Sequence, residues 1–256
     1  MMGLLATGLT DTGLVRKHNE DNIYVDASLG LFVVADGLGG HAAGEVASKI
    51  VIDEMAKFIE LTSKPNGKAP EGIEFDNRQS VNYNRLKASV LIADKTIAED
   101  IIARPERETM GSTVVACLVE GSRVTLGHVG DSRAYRVCAN GITQLTKDHS
   151  WVADQVASGF LTLDEAKKHP FRNIITQALG NGGGLVVDIQ EFDLAENETV
   201  LLCSDGLTGM VADSQILETC NQALNLHDAA SGLVRMAIEN GGEDNISVVL
   251  VKLSPA

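Results

Sequence analysis

Three aspartates in this chain share one local setting, a turn next to an apolar run that is typical of a β-strand. Asp36 follows LFVVA, Asp205 follows VLLCS, and Asp244 lies two residues before ISVVLV. Carboxylates in such places are held on rigid backbone at the rim of a core, and three that converge repel one another unless cations neutralise them. Their hard oxygen atoms suit Mg²⁺ or Mn²⁺. The pattern therefore predicts a divalent-metal site, although a single Asp-Gly is more often an ordinary turn.

The residues that follow Asp36 add to this prediction. Gly37 leaves room for a backbone carbonyl to approach a metal, and the sequence GGH at 39–41 opens a predicted helix whose free N–H groups favour anions. A histidine with a near-neutral pKa can donate a proton to a leaving alkoxide. His41 is the first choice for this role because it is close to Asp36 in sequence, and His149 and His128 are the other candidates.

A charged segment near the amino terminus offers phosphate and water contacts. The planar guanidinium of Arg16 can bind two phosphate oxygens. Glu20 and Asp21, four and five residues later, can accept hydrogen bonds from metal-bound waters. A charged surface turn is the alternative interpretation of this segment.

Six short motifs occur in a fixed order along the chain. They are RKHNED at 16–21, DGLGGH at 36–41, GST at 111–113, GDSR at 130–133, SDGL at 204–207 and EDN at 243–245. This series resembles the signature motifs of the metal-dependent protein phosphatase family, type 2C, in its compact bacterial form. The resemblance extends from Thr10 to Val251.

The resemblance implies a set of metal ligands. Asp36 would bridge two Mn²⁺ or Mg²⁺ ions, and the carbonyl of Gly37 would bind one of them. Asp205 and Asp244 would bind the other ion. Arg16 would hold the substrate phosphate.

The resemblance also implies a weaker third ion, held by Asp131 together with Asp205. A tight hairpin turn at 130–133 is the alternative interpretation of that motif. The general-acid histidine of the family lies one residue after the bridging Asp-Gly, where this chain has Leu38. No acid is therefore assigned by position, and His41 stays the candidate from the residues alone.

The function implied by the resemblance is hydrolysis of phosphoserine and phosphothreonine by a water that two metal ions activate, without a phosphoenzyme. The partners would be phosphorylated proteins, the substrates of a serine/threonine kinase. Two alternatives stay open. One is a catalytically inactive regulator that binds phosphoproteins, against which the intact ligand set weighs. The other is a small-molecule phosphoesterase acting on small phosphates or nucleotides. The sequence does not support it, because it has no Walker-type glycine-rich loop and its aromatic content is only 4%.

Composition excludes several other classes of protein. A net charge of −14 argues against nucleic-acid binding, which favours a basic face. The four cysteines show no CxxC spacing, so neither zinc nor disulfides is indicated. No apolar run is long enough to span a membrane and the first residues lack the features of a secretion signal. We therefore expect a cytoplasmic protein without membrane contact. The sequence carries no signal for an oligomer, and a monomer is the expectation.

Hydrophobic periodicity predicts an α+β fold, a four-layer α-β-β-α sandwich in which two packed antiparallel sheets are flanked by helix pairs. The predicted strands are 3–10, 22–27, 31–35, 112–119, 123–129, 133–138, 142–145, 185–193, 199–203 and 246–251. The predicted helices are 42–60, 81–103, 213–222 and 227–239. Residues 112–145 are interpreted as an antiparallel meander. We expect residues 1–256 to form one catalytic domain, with a polar, helical, flap-like excursion near 150–172.

Overall fold

Two antiparallel β-sheets lie face to face in the computed structural model, which describes residues 3–40, 42–64 and 67–253. One sheet has the strand order β2-β3-β5-β6-β9, with the short β4 paired to β3, and the other has the order β1-β11-β10-β7-β8. The strands are β1 (Leu4–Asp11), β2 (Asp21–Asp26), β3 (Leu31–Leu38), β4 (Gly111–Ser112), β5 (Val114–Glu120), β6 (Arg123–Val129), β7 (Arg133–Cys138), β8 (Gly141–Gln144), β9 (Asp188–Asp193), β10 (Thr199–Cys203) and β11 (Ile246–Leu253).

Helices cover the outer face of each sheet. The helices are α1 (Ala42–Ser63), α2 (Val81–Ala103), α3 (Trp151–Ala157), α4 (Leu163–Lys168), α5 (Asp205–Thr208), α6 (Asp213–Gln222) and α7 (Leu226–Glu239). The α1–α2 pair packs on the sheet that contains β3, and α6 and α7 pack on the sheet that contains β11. This arrangement confirms the predicted four-layer sandwich.

Strand β3 shows how one apolar run fills two core layers, one on each side of its sheet. Successive side chains of a strand point to opposite faces. Leu31 and Val33 therefore pack towards α1 and α2, whereas Phe32 and Val34 pack against the other sheet. Because both faces are buried, the strand is apolar throughout, as the sequence predicted.

The meander predicted for residues 112–145 is wrong as a single sheet. Strands β5 and β6 pair with each other in the first sheet, but β7 and β8 belong to the second. The connection at 130–132 therefore crosses between the sheets, and the hairpin interpretation of the GDSR motif is wrong as well. Asp131 is carried by this crossing.

Smaller differences concern where elements end. Strand β3 continues through Asp36 and Gly37 to Leu38, because its last two residues pair with β4. The short helix α5 begins at Asp205 and had not been predicted. The excursion near 150–172 contains two short helices, α3 and α4, and the second starts with a capping box at Thr162.

Among the described residues, no helix is long and apolar enough to cross a membrane. The four cysteines carry free thiols, and Cys117 and Cys203 are fully buried in strands.

Candidate active site

Two acidic residues face each other at the end of the β2–β3 pair. Asp21 lies opposite Asp36 in the register of these strands. The backbone of Asp36 is fixed by Thr113, whose N–H donates to the Asp36 carbonyl (2.9 Å) and whose Oγ1 accepts from the Asp36 N–H (3.2 Å). Gly37 follows in a place where a Cβ would overlap the carbonyl oxygens of Gly44 and Glu20. Only glycine fits this close approach of β3 to the start of α1.

The second sheet contributes two further carboxylates. Asp205 is the first residue of α5, two residues after the end of β10, and Asp244 lies two residues before β11. Gly206 lets these two segments touch, since a Cβ there would overlap the carbonyl oxygen of Asn245. Asp36, Asp205 and Asp244 line the same cavity, so the two sheets meet at their acidic ends.

These residues line one cavity of about 170 Å³ at the edge of the sandwich. Its lining combines the predicted acidic and basic groups with glycine backbone and with two residues of the segment after α4. The lining residues are Arg16, Glu20, Asp36, Gly37, Leu38, Gly39, Gly40, Asp131, Asn173, Ile175, Asp205, Asp244 and Asn245. Five of the six motifs recognised in the sequence thus contribute a charged side chain to one concave site.

The carboxylates raise one another's pKa. Loss of hydration is the largest cause for Asp36, whose pKa lies well above its usual value, and the charges of Asp21 and Asp205 add to it. Burial likewise raises the pKa of Asp21 to about 7, of Asp131 to about 8 and of Asp205 to about 6. Hydrogen bonds from Ser204 and Ser247 oppose the rise at Asp21. The cluster therefore requires either protons or cations.

Unpartnered oxygen atoms test whether cations fit this site. Oδ1 of Asp131 and Oδ1 of Asp21 are buried and have no hydrogen-bond partner among the described residues. A buried carboxylate oxygen without a partner is costly, and a cation or a water bound to it removes the cost. The oxygen-only donor set is the one that Mg²⁺ and Mn²⁺ prefer. The residues present fit divalent cations of this type.

Arg16 lies at the rim of the cavity and is half exposed. Its Nη2 donates to Oδ2 of Asp244 at 2.7 Å. This contact raises the pKa of Arg16, and burial opposes the rise. A guanidinium has five N–H donors, so one bond to Asp244 leaves donors that can face a phosphate.

Asn245 has a positioning role that the sequence analysis missed. Its Oδ1 accepts from the N–H of Glu20 at 2.8 Å, and its Nδ2 donates to the carbonyls of Thr12 and His18, each at 3.0 Å. The side chain is buried. It therefore ties the loop that carries Arg16 to the carboxyl end of the chain. The signal was present, because Asn245 is the third residue of the EDN motif.

The three histidines considered as proton donors differ in position. His41, the predicted proton donor, lies outside the described residues. His128 and His149 are buried and stack on each other with ring centroids 4.7 Å apart. Neither ring lines the cavity, so neither is placed to donate a proton to a leaving group there.

The segment after α4 returns to the site further along the chain than predicted. Asn173 and Ile175 line the cavity, although the excursion had been expected to end near 172. Its base is closed by backbone hydrogen bonds from Trp151 to Ile174 and from Thr176 to His149, both 2.8 Å. A larger groove of about 870 Å³ runs along α1 and α2, but it has mixed charge and holds none of the motif residues.

A family model described as protein phosphatase 2C matches residues 15–239. The serine/threonine protein phosphatase PstP of Mycobacterium tuberculosis is 37% identical over 241 residues. That match covers 94% of this chain and 43% of the relative, so the chain spans less than half of that protein's length. The serine/threonine phosphatase stp of Listeria welshimeri is 36% identical over 247 residues, covering 95% of this chain and 93% of the relative.

A solved structure gives the same comparison in three dimensions. The catalytic domain of the serine/threonine protein phosphatase PstP, in complex with two manganese ions, superposes with a TM-score of 0.85 at 34% identity and covers 100% of both chains. The similarity therefore extends over both sheets and the helices outside them.

Proposed function

We propose that this chain, which belongs to the protein phosphatase 2C family, is a metal-dependent serine/threonine protein phosphatase. The observation that carries this proposal is the convergence of acidic side chains from both sheets on one cavity with Arg16 at its rim. A module that only binds phosphoproteins has no need for such a carboxylate cluster. Without cations, these carboxylates repel one another, and they also repel a phosphate.

The ligand set that we propose for two divalent cations follows the cavity lining. Asp36 would bridge them, the carbonyl of Gly37 would bind one, and Asp205 and Asp244 would bind the other. The unpartnered Oδ1 of Asp131 supports a place for a weaker third ion beside Asp205. Whether the ions are Mn²⁺ or Mg²⁺, the donor chemistry is the same.

Two acidic residues would act through bound waters in this proposal. Glu20 lines the cavity, whereas Asp21 lies behind it, opposite Asp36 in the sheet. Ser204 donates to Oδ2 of Asp21 at 2.8 Å, which fixes that carboxylate and leaves Oδ1 to face a water.

When bound, divalent cations lower the pKa of coordinated water from 15.7 to about 7, which supplies the nucleophile near neutral pH. The chain's own groups do the rest. Arg16 binds the phosphoryl oxygens and orients the phosphate against the carboxylate cluster, and no side chain becomes phosphorylated. His41 stays our prediction for the proton donor to the leaving alkoxide, because it follows the cavity-lining Gly39 and Gly40 directly.

Release of phosphate from a phosphothreonine peptide tests this function. We expect turnover with Mn²⁺ or Mg²⁺, and its loss in EDTA with recovery on adding metal back. Turnover that survives chelation would contradict the mechanism. Peptide binding without turnover would favour the inactive regulator, and hydrolysis of nucleotides or small phosphates alone would favour a small-molecule phosphoesterase.

We propose that residues 150–172 form a flap that selects substrates within a single catalytic domain of residues 1–256. Its large apolar side chains are exposed, Phe160 by 77% and Leu163 by 70%. The segment that follows reaches the cavity through Asn173 and Ile175. A protein substrate that places its phosphate in the cavity must therefore pass this surface.

Exchange of residues 150–172 for the same segment of a relative tests the flap. We expect altered preference among phosphopeptides with nearly unchanged turnover of a small aryl phosphate, because only the peptides are long enough to contact the flap. An equal loss on both substrates would count against a role in selection.

We propose phosphorylated proteins, the substrates of a serine/threonine kinase, as the partners. The net charge of −14 speaks against nucleic acid. We further propose that the protein acts as a cytoplasmic monomer without membrane contact. Sedimentation that showed a stable dimer at micromolar concentration would contradict the monomer.

A further inference from the structure

The connection that crosses between the sheets carries Asp131 into the cavity and has an unusual backbone. Gly130 has a φ of +103°, which favours glycine, and a Cβ there would lie 2.7 Å from side-chain atoms of Thr113. The far end of the crossing is held by Arg133, whose guanidinium binds Asp148 through Nε (2.9 Å) and Nη2 (2.7 Å). The near end must be held by other contacts.

His149 holds the near end through both backbone groups of Gly130. The N–H of His149 donates to the Gly130 carbonyl at 2.9 Å, and the Gly130 N–H donates to Nδ1 of His149 at 3.2 Å. Because Nδ1 accepts, it carries no proton, and the neutral ring carries its proton on Nε2. The tautomer of this buried histidine is thereby fixed.

Two neighbours fix the orientation of the His149 ring. Oδ2 of Asp188, on β9, lies 3.3 Å from Nε2 of His149 and can accept a hydrogen bond from it. His128 stacks on the other ring face at a centroid distance of 4.7 Å, and its own Nε2 is bonded to the Lys147 carbonyl at 2.9 Å. A carboxylate that orients a histidine by its distal nitrogen is a recurrent way of holding groups around metal ligands.

The same three side chains are close enough for a cation to be considered, since one ligand atom of each lies within 4.8 Å of the others. The contacts argue against it. Nδ1 of His149 accepts from the N–H of Gly130, and Nε2 of His128 is bonded to the carbonyl of Lys147. Nε2 of His149 carries the proton that faces Asp188, so it has no lone pair to offer a cation. The cluster is built to hold the backbone of Gly130.

We propose that His149, oriented by Asp188 and His128, is a positioning residue that holds Asp131 in the cavity by fixing Gly130. This inference rests on the proposed function, because it assigns His149 a role in presenting a metal-binding carboxylate. It does not make His149 a catalytic residue, since the ring does not reach the cavity.

Two substitutions at one position separate the accepting atom from the size of the side chain. In His149→Asn the side-chain oxygen replaces Nδ1 and can still accept from Gly130. In His149→Gln the polar group lies where Nε2 was, so the Gly130 N–H loses its acceptor. His149→Ala loses both groups. His227→Ala, on the exposed face of α7, is the matched control.

Mn²⁺ binding to the full chain without substrate is the first readout, with Asp131→Asn as the reference defect. We expect His149→Ala and His149→Gln to reproduce that defect, about 10- to 100-fold in the affinity of the Asp131-dependent ion. His149→Asn and His227→Ala should bind like the unaltered protein. Normal Mn²⁺ binding by His149→Ala and His149→Gln, beside a defective Asp131→Asn, would overturn the proposal.

Amide hydrogen exchange is the second readout and does not depend on metal. The amides of residues 130–132 should exchange faster in His149→Gln than in His149→Asn, while the amides of β11 stay protected in both and report an intact fold. Equal protection of 130–132 in the two variants would overturn the proposal. If the unaltered protein bound no Mn²⁺ at all, the proposed function would fail, and this comparison would still decide the role of His149.

Discussion

Asp36→Asn should lower turnover of a phosphothreonine peptide by at least about 100-fold, since even groups that only support metal ligands contribute 10- to 100-fold. The same substitution should stabilise the metal-free protein. Asp36 lies among Asp21, Asp205, Asp131 and Asp244, whose charges all raise its pKa. Removing one carboxylate therefore relieves repulsion. We expect a thermal midpoint a few degrees higher in EDTA, at roughly 2–4 °C for each kcal/mol in a chain of this size.

Activity and stability should thus move in opposite directions, which separates a functional defect from misfolding. Asp53→Asn is the matched control, because it removes the same charge from an exposed ion pair with Lys49 on α1. We expect that control to leave both the turnover and the midpoint nearly unchanged. An Asp36→Asn protein that kept its turnover, or that melted lower in EDTA, would contradict the proposed site.

Metal-free protein should become less stable as the pH rises from about 5 to about 8. Burial raises the pKa of Asp205 to about 6, of Asp21 to about 7 and of Asp131 to about 8 in the folded protein. An unfolded aspartate titrates near 3.9. The folded state therefore holds protons that the unfolded state releases. Each group contributes stability that is complete below about pH 4 and is lost as the pH rises through its folded pKa, of the order of 1 kcal/mol per pH unit.

Mn²⁺ should reverse this dependence, because the ions bind the deprotonated carboxylates and binding displaces protons. Urea unfolding at pH 5.5 and pH 8 measures how the free energy of unfolding changes with pH, once in EDTA and once in excess Mn²⁺. The stabilisation by Mn²⁺ should be larger at pH 8. In EDTA, Asp131→Asn should flatten the decline. A metal-free protein whose stability rose steadily up to pH 8 would show that the carboxylates do not crowd one another.

The elements and the acidic cluster were accessible from sequence for a physical reason. Strands buried on both faces, such as β3 and β11, are continuous apolar runs, so their ends are marked clearly and the aspartates beside them stand out. The ligand roles of Asp36, Asp205 and Asp244 stay predictions, but the geometry brings these side chains to one cavity. Periodicity alone gives no distances, and the ordered motifs supplied the expectation that the strand ends meet.

The hairpin predicted at 130–133 was wrong because a Gly-Asp turn has the same local sequence whether the two flanking strands pair with each other or belong to different sheets. Pairing of β7 with β10 instead of β6 depends on residues some sixty positions away. Asn173 and Ile175 were missed for a related reason, since neither belongs to a motif. Their place in the cavity follows from the closure of the flap base, a contact between distant segments.

The pairing of β1 with β11, which sets Thr10 opposite Ser247, has a kinetic consequence for the cavity. The amino-terminal and carboxyl-terminal strands must find each other across almost the whole chain, which is a slow, non-local step. The acidic residues of the cavity also come from segments far apart in the chain, on both sheets, so we expect a cation to meet its complete set of oxygens late in folding. Divalent ions should therefore lower the unfolding rate far more than they raise the folding rate.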